Sequence, residues 1–184
     1  MRDSSTHLYS PGLVGIIATE SSVSNINGKK GILSYRGYSI EELAKKSTFE
    51  ETAYLLLFGD LPTKSQLEEF IDIKKKLHNE YSKFIDGKYL KQFEDIETPW
   101  FIDFYCDNQK QREELKLYLS SKNIETRYSY PALSSQSYLQ EINKTKLSYS
   151  EEISDNILWL PSSTSLTNEE IKYVSDEVNN FFNN

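Results

Sequence analysis

The 184-residue chain has one cysteine, two histidines and four arginines, and each scarcity excludes something. A single thiol, Cys106, leaves no internal disulfide and suits a reducing cytosol. The histidines, His7 and His78, lie far apart in sequence with no acidic partner at ligand spacing, so they make no metal set. Both are expected to be solvated. No stretch approaches the roughly 20 apolar residues of a membrane span. The opening "MRDSSTHLYSPG" has no apolar core of signal-peptide type, so nothing in it marks the chain for export. A Walker loop, GxGxxG, paired CxxC and GxSxG are all missing. Positive charge is also short: the net charge of −7 and a pI near 5.0 argue against nucleic acid or an anionic membrane as partner. Seventeen lysines beside four arginines, with twelve asparagines, suggest an AT-rich genome more than any chemistry.

What is present suffices for a core. Hydrophobic residues make up 38% and aromatics 13%, in a length that fits one domain or two small ones. "GLVGIIATESSVSNI" reads as extended, "NGKKG" as a turn and "ILSYRG" as a second extended segment, together a hairpin. Ser39-Ile40-Glu41-Glu42 and Thr48-Phe49-Glu50-Glu51 are capping boxes for two helices, the second closed by Gly59. Thr63-Lys64-Ser65-Gln66 opens a third, whose Leu67, Phe70, Ile71, Leu77, Tyr81 and Phe84 recur at helical spacing. Beyond it the rhythm changes. "WFIDFYC" alternates as a strand, "QKQREELKLYLSSKN" is a helix and "IETRYSYP" a second strand. A polar stretch leads to "SEEISDNILWLP", and Thr167-Asn168-Glu169-Glu170 caps a last helix. The fold class is α+β.

Candidate chemistry is sparse. Cys106 in its aromatic strand reads as a buried, inert thiol. Lys74, Lys75 and Lys76 read as a solvated helix face, and Glu68, Glu69 and Asp72 as its polar side. Composition and spacing alone support a soluble, cytosolic globular protein.

Particular stretches go further. "SPGLVGIIATESSVSNINGKKGILSYRGYSIEELAKKSTFEETAYLLLFGDLPTKSQLEEF", residues 10 to 70, closely resembles the opening segment of bacterial citrate synthases, and equally that of 2-methylcitrate synthases. "TPWFIDFYCDN", "LKLYLSSKNIETRYSYPALSSQ" and "SEEISDNILWLPSSTSLTNEEIKYVSDEV" resemble the C-terminal small domain of the nucleotide-sugar aminotransferases of the DegT/DnrJ/StrS group, pyridoxal-phosphate enzymes of the aspartate-aminotransferase fold. "IDIKKKLHNEYSKF" is similar to the long helix leading into that domain. The resemblance therefore implies an N-terminal hairpin plus helices over 1–70, followed by an α+β small domain over 71–184.

Condensing acetyl-CoA with oxaloacetate requires a base for the methyl proton, donors for the enolate and cations for the dicarboxylate. The first resemblance places those His, Asp and Arg residues in the later two-thirds of its own chain, a part these 184 residues do not match. Arg36 stands in the matching "YRG", where packing the hairpin on the helices is the expected role. Transamination requires a Schiff-base lysine, an acid for the pyridine nitrogen and a phosphate cup. The second resemblance places these in a large N-terminal domain, and no lysine here lies in a matching motif. What carries over is an edge of a substrate pocket, Arg127 and Tyr130 in "TR..YP"; Ser134 stands where many members have a histidine, which weakens that edge.

The expectations are thus a chimeric or truncated transferase relative with no catalytic residues and no cofactor of its own. Pyridoxal phosphate belongs to the parent of the tail, and acetyl-CoA is substrate for the parent of the head. Arg127, Tyr130 and Ser134 are the substrate-binding candidates. The chain is expected in the cytoplasm, as a homo-oligomer or docked on full-length parent enzymes. The alternatives are a non-catalytic interaction module and a sugar aminotransferase.

Overall fold

The computed structural model describes residues 20–139 and 148–183. His7 and the expected extended segment from Gly12 to Thr19 lie outside these residues. The chain divides into two compact units, Met1–Leu67 and Glu68–Asn184, a division that falls inside one helix.

In the first unit, β1 (Ser24–Asn27), β2 (Ile32–Tyr35) and β3 (Tyr38–Ser39) form an antiparallel meander. The expected hairpin is β1 with β2, paired from Ser24–Tyr35 to Asn27–Ile32 across the Gly28–Gly31 turn. The third strand follows because Arg36 and Gly37, at φ 47° and 92°, supply the two left-handed residues that a tight two-residue hairpin loop needs. Two helices follow, α1 (Ile40–Lys46) and α2 (Phe49–Phe58). Thr48 and Glu51 bond reciprocally at the start of α2, and Gly59 at φ 102° sends its N–H to the Leu55 carbonyl at its end. Ser39 caps α1 by accepting from the Glu42 N–H. The Arg36 guanidinium ties the hairpin to α2 through a 3.1 Å bond to the Leu56 carbonyl, the packing role expected of it. Leu43, Ala53 and Leu55 are buried, whereas Phe49, Leu57 and Phe58 are each more than half exposed.

Helix α3 (Lys64–Tyr81) begins at the expected Thr63–Gln66 box and runs through the division without a break. The second unit continues with β4 (Ile102–Tyr105), α4 (Gln109–Ser121), β5 (Arg127–Tyr128), α5 (Ser148–Asn156), β6 (Ile157–Leu160) and α6 (Asn168–Asn183). Its sheet has the order β4-β6-β5, all antiparallel. The late "ILWL", which gave no strand pattern to the reading above, is thus the central strand. Ile102, Phe104, Leu158 and Leu160 of the sheet lie in one core with Leu115 and Leu119 of α4, Ile171, Val174 and Val178 of α6, and Leu77 and Tyr81 of α3. Each helix supplies residues three or four apart, the stripe that burial requires.

Two expectations fail here. His78 is buried, not solvated: its Nε2 lies 3.0 Å from the Lys91 carbonyl and its ring stands perpendicular to Phe93 at 5.0 Å. The lysine triplet is not one solvated face either. Lys76 is exposed and Lys75 donates to the Asp95 carbonyl at 2.6 Å, but Lys74 is only 5% exposed. The buried stripe of α3 passes through 70, 74, 77, 78 and 81, and a lysine stem is long and apolar enough to serve in it.

Candidate functional site

The second unit carries a cleft on the side of the sheet away from its core and a larger one whose wall also takes in the core residues Ile124, Leu160 and Val174. Strand alternation puts Asp103 on that side, between the buried Ile102 and Phe104. Register sets Trp159 of β6 opposite it and Arg127 of β5 opposite Trp159 in turn. The Trp159 indole N–H donates to Asp103 Oδ1 at 2.7 Å. Phe101 stacks flat on Trp159 with ring centroids 3.8 Å apart, and Tyr130 stands perpendicular to it at 5.0 Å. Trp159 lines both clefts and forms the wall between them.

The larger cleft, about 690 Å³, lies among Phe101, Arg127, Trp159, Ser162, Glu170 and Tyr173. Arg127 is exposed, 3.9 Å from the equally exposed Glu125. Thr126, in the same wall, has a buried hydroxyl without a hydrogen-bond partner. The loop after β6 is held from behind by α3. Tyr81 Oη donates to the Pro161 carbonyl at 2.9 Å and Lys74 Nζ to the Ser162 carbonyl at 3.1 Å. Lys74 also lies 4.9 Å from the Trp100 ring centroid. Burial pushes its ammonium down to about 8. The smaller cleft, about 370 Å³, is bounded by Asp103, Tyr130, Tyr149, Ile153, Ile157 and Trp159. Burial holds the Asp103 carboxyl above its usual range, partly countered by the indole bond and by Lys91.

The three residues carried over from the resemblance do not converge. Arg127 lines the larger cleft, Tyr130 the smaller, and Ser134 neither; its hydroxyl donates to Glu151 at 2.8 Å. Cys106 is buried in the core as expected, and burial pushes its thiol up to about 12, the opposite of an activated nucleophile. Among the described residues no cluster of His, Cys, Asp or Glu could hold a metal ion, and no helix is long and apolar enough to cross a membrane. Sequence alone does not single out Asp103 or Trp159, and it assigns Lys74 to solvent, where the structure buries it. The alternation in "FIDFY" was the one signal that set Asp103 apart from its buried neighbours.

Comparison with known proteins gives two kinds of likeness. Solved aminotransferases share the fold over about two thirds of the chain. The aminotransferase TlmJ from Streptoalloteichus hindustanus is 19% identical with a TM-score of 0.55, over 65% of this chain and 33% of its own. A DegT DnrJ EryC1 StrS aminotransferase from Brucella abortus is 18% identical with a TM-score of 0.55, over 64% of this chain and 32% of its own. Sequence identity is to another family. The citrate synthase of Synechocystis is 54% identical over 63 residues, 34% of this chain and 16% of that one. The chain spans 13% to 19% of the length of the curated citrate synthases it matches. The family model for the citrate synthase C-terminal domain matches residues 12–169, most of the sequence, and the chain belongs to the citrate synthase family.

Proposed function

We propose that this member of the family is a composite without turnover of its own. It joins a citrate-synthase-like head, residues 1–70, to a small domain of nucleotide-sugar aminotransferase type, residues 71–184. One observation carries the reading. The sheet and helices of Glu68–Asn184 form a unit of their own, in a chain that shares its fold with aminotransferases over about 65% of its length, while identity to curated citrate synthases runs over only 63 to 82 residues. The family match across residues 12–169 extends past the proposed join. Neither chemistry finds a matched set of groups in the sequence. The condensation requires a base and an enolate cradle; the transamination requires a Schiff-base lysine.

Purified chain given acetyl-CoA and oxaloacetate is expected to release no thiol and form no citrate. With pyridoxal phosphate it is expected to leave no lysine adduct after borohydride. Citrate formation or a trapped adduct overturns the inactive reading. Sequencing reads across the codons for residues 65–80 are expected to run unbroken through the join, and reads that continue into an intact parent gene overturn the composite.

A second reading, an interaction module acting in the cytoplasm, is favoured by the exposed Phe49, Leu57 and Phe58 of α2. Solvent-exposed apolar surface on one helix suits docking on a full-length parent or on a second copy. Its test is whether the chain elutes as a monomer alone and shifts when full-length citrate synthase from the same source is added. No shift and a monomer count against it.

A further inference from the structure

We infer that the smaller cleft of the second unit is a binding site for an organic ammonium ion, held between Trp159, Tyr130 and Tyr149 over the carboxylate of Asp103. The inference is independent of whether the chain has any catalytic activity. Three aromatic rings line this cleft, together with the side chains of Ile153 and Ile157. Among the described residues Asp103 is the one charged side chain in its wall, and no lysine or arginine lines it. Cations are attracted to the negative faces of aromatic rings, and such cages discriminate a soft, bulky ammonium from a small hydrated ion.

The carboxylate is placed for the counter-charge. The Trp159 indole takes Oδ1 and thereby fixes both the acid and the ring. Among the described residues Asp103 makes no ion pair, and Lys91 and His78 act on it only at longer range. A half-buried anion without a paired cation is costly, and a cation arriving in the cleft relieves that cost. Phe101 stacks against Trp159 and Tyr130 stands across it, so the ring that separates the two clefts is braced before a ligand arrives. The cleft's volume, about 370 Å³, falls within the range of small-molecule pockets.

The size-matched probes are choline and its uncharged analogue 3,3-dimethylbutan-1-ol. The readout is the indole N–H resonance of Trp159, with Trp100 as internal reference. Choline is expected to displace the Trp159 resonance saturably across the millimolar range. The uncharged alcohol is expected to bind at least about tenfold more weakly, because the attraction of two close charges near a protein surface exceeds that factor. Asp103→Asn, which keeps an oxygen for the indole, is expected to weaken choline by at least about tenfold while leaving the alcohol unchanged. Tyr149→Ala, at an exposed position, removes one wall and is expected to weaken choline about three- to tenfold; it keeps the test open should the Asp103 variant not fold. No saturable displacement, equal binding of the alcohol, or undiminished binding by both variants overturns the inference.

Discussion

The ammonium of Lys74 ends on the carbonyl of Ser162, 3.1 Å away and 88 residues further along the chain, behind the loop that lines the larger cleft. This bond and the Tyr81–Pro161 bond beside it are the described polar ties from α3 to that loop. Elsewhere α3 is held by packing of Leu77 and Tyr81 in the core and by the Lys75–Asp95 and His78–Lys91 bonds.

Lys74 gives stability a pH dependence whose sign is fixed. Burial lowers its folded value from 10.5 to about 8, so the folded state resists the charge that the unfolded chain accepts. Below about 8 both states hold the proton and the folded one bears the full desolvation cost. As pH rises from about 8 toward 10.5 the folded state releases the proton first, and stability increases. Urea midpoints at pH 7 and pH 9 should therefore rise for the natural chain and rise less for Lys74→Met, which replaces a buried charge with an apolar stem of similar length. An equal rise in both would remove Lys74 as the source.

Cys106 acts in the opposite direction and closes the window. Burial raises its thiol from 9.0 to about 12, so above pH 9 the unfolded chain ionises while the folded one does not, and stability falls. The same burial governs reactivity. A disulfide reagent should label Cys106 at least about a hundredfold more slowly in the native protein than in urea, since the thiolate is the attacking species. Rapid native labelling would mean that the strand ending at Tyr105 opens readily.

How legible was this fold? The capping boxes at Thr48, Thr63 and Thr167 were readable because they are local, each needing only residues three apart. The "WFIDFYC" strand was readable from its alternation. "ILWL" was not, because an apolar run of four at a helix end has no period of its own and becomes a strand only when β4 and β5 pair with both its edges. His78 and Lys74 were misjudged for a related reason. Their lysine-rich neighbours suggested solvent, and only the packing of α3 shows that they share the buried stripe with Leu77 and Tyr81. The cleft was the least visible part. Asp103 and Trp159 stand 56 residues apart and meet through strand register, which no local pattern encodes. The resemblance named Arg127 and Tyr130, but Trp159 stands between the clefts they line.

Arg36 tests the first unit by itself. It holds φ 47° in the turn between β2 and β3, a conformation disfavoured for residues with a Cβ, while its guanidinium reaches Ser22 Oγ at 2.9 Å and the Leu56 carbonyl at 3.1 Å. Arg36→Ala keeps the strain and loses both bonds, and should destabilise by about 1–3 kcal/mol. Arg36→Gly loses the same bonds but relieves the backbone by about 1 kcal/mol, so it should be the milder change. Thermal unfolding of the two variants gives the order. Should Ala prove as stable as Gly, the left-handed turn is not what Arg36 is holding.

Asp103 separates stability from binding. Burial holds its carboxyl above the usual 3.8, so the folded state favours the neutral acid. The stability this contributes is fully present below pH 3.8 and is lost as pH rises through the folded value, leaving the ionised group a liability at neutral pH. Asparagine copies the neutral acid in shape and still offers an oxygen to the Trp159 indole. Asp103→Asn should therefore unfold at a higher urea concentration than the natural chain at pH 7, with the gain shrinking as pH falls toward 4. A residue kept only for the fold should not be improved by losing its charge. A variant more stable than the natural chain and yet impaired in choline binding would show that the carboxylate is held at a cost, for the ligand. A variant less stable at pH 7 would instead make Asp103 a structural acceptor for Trp159, its charge favourable to the fold.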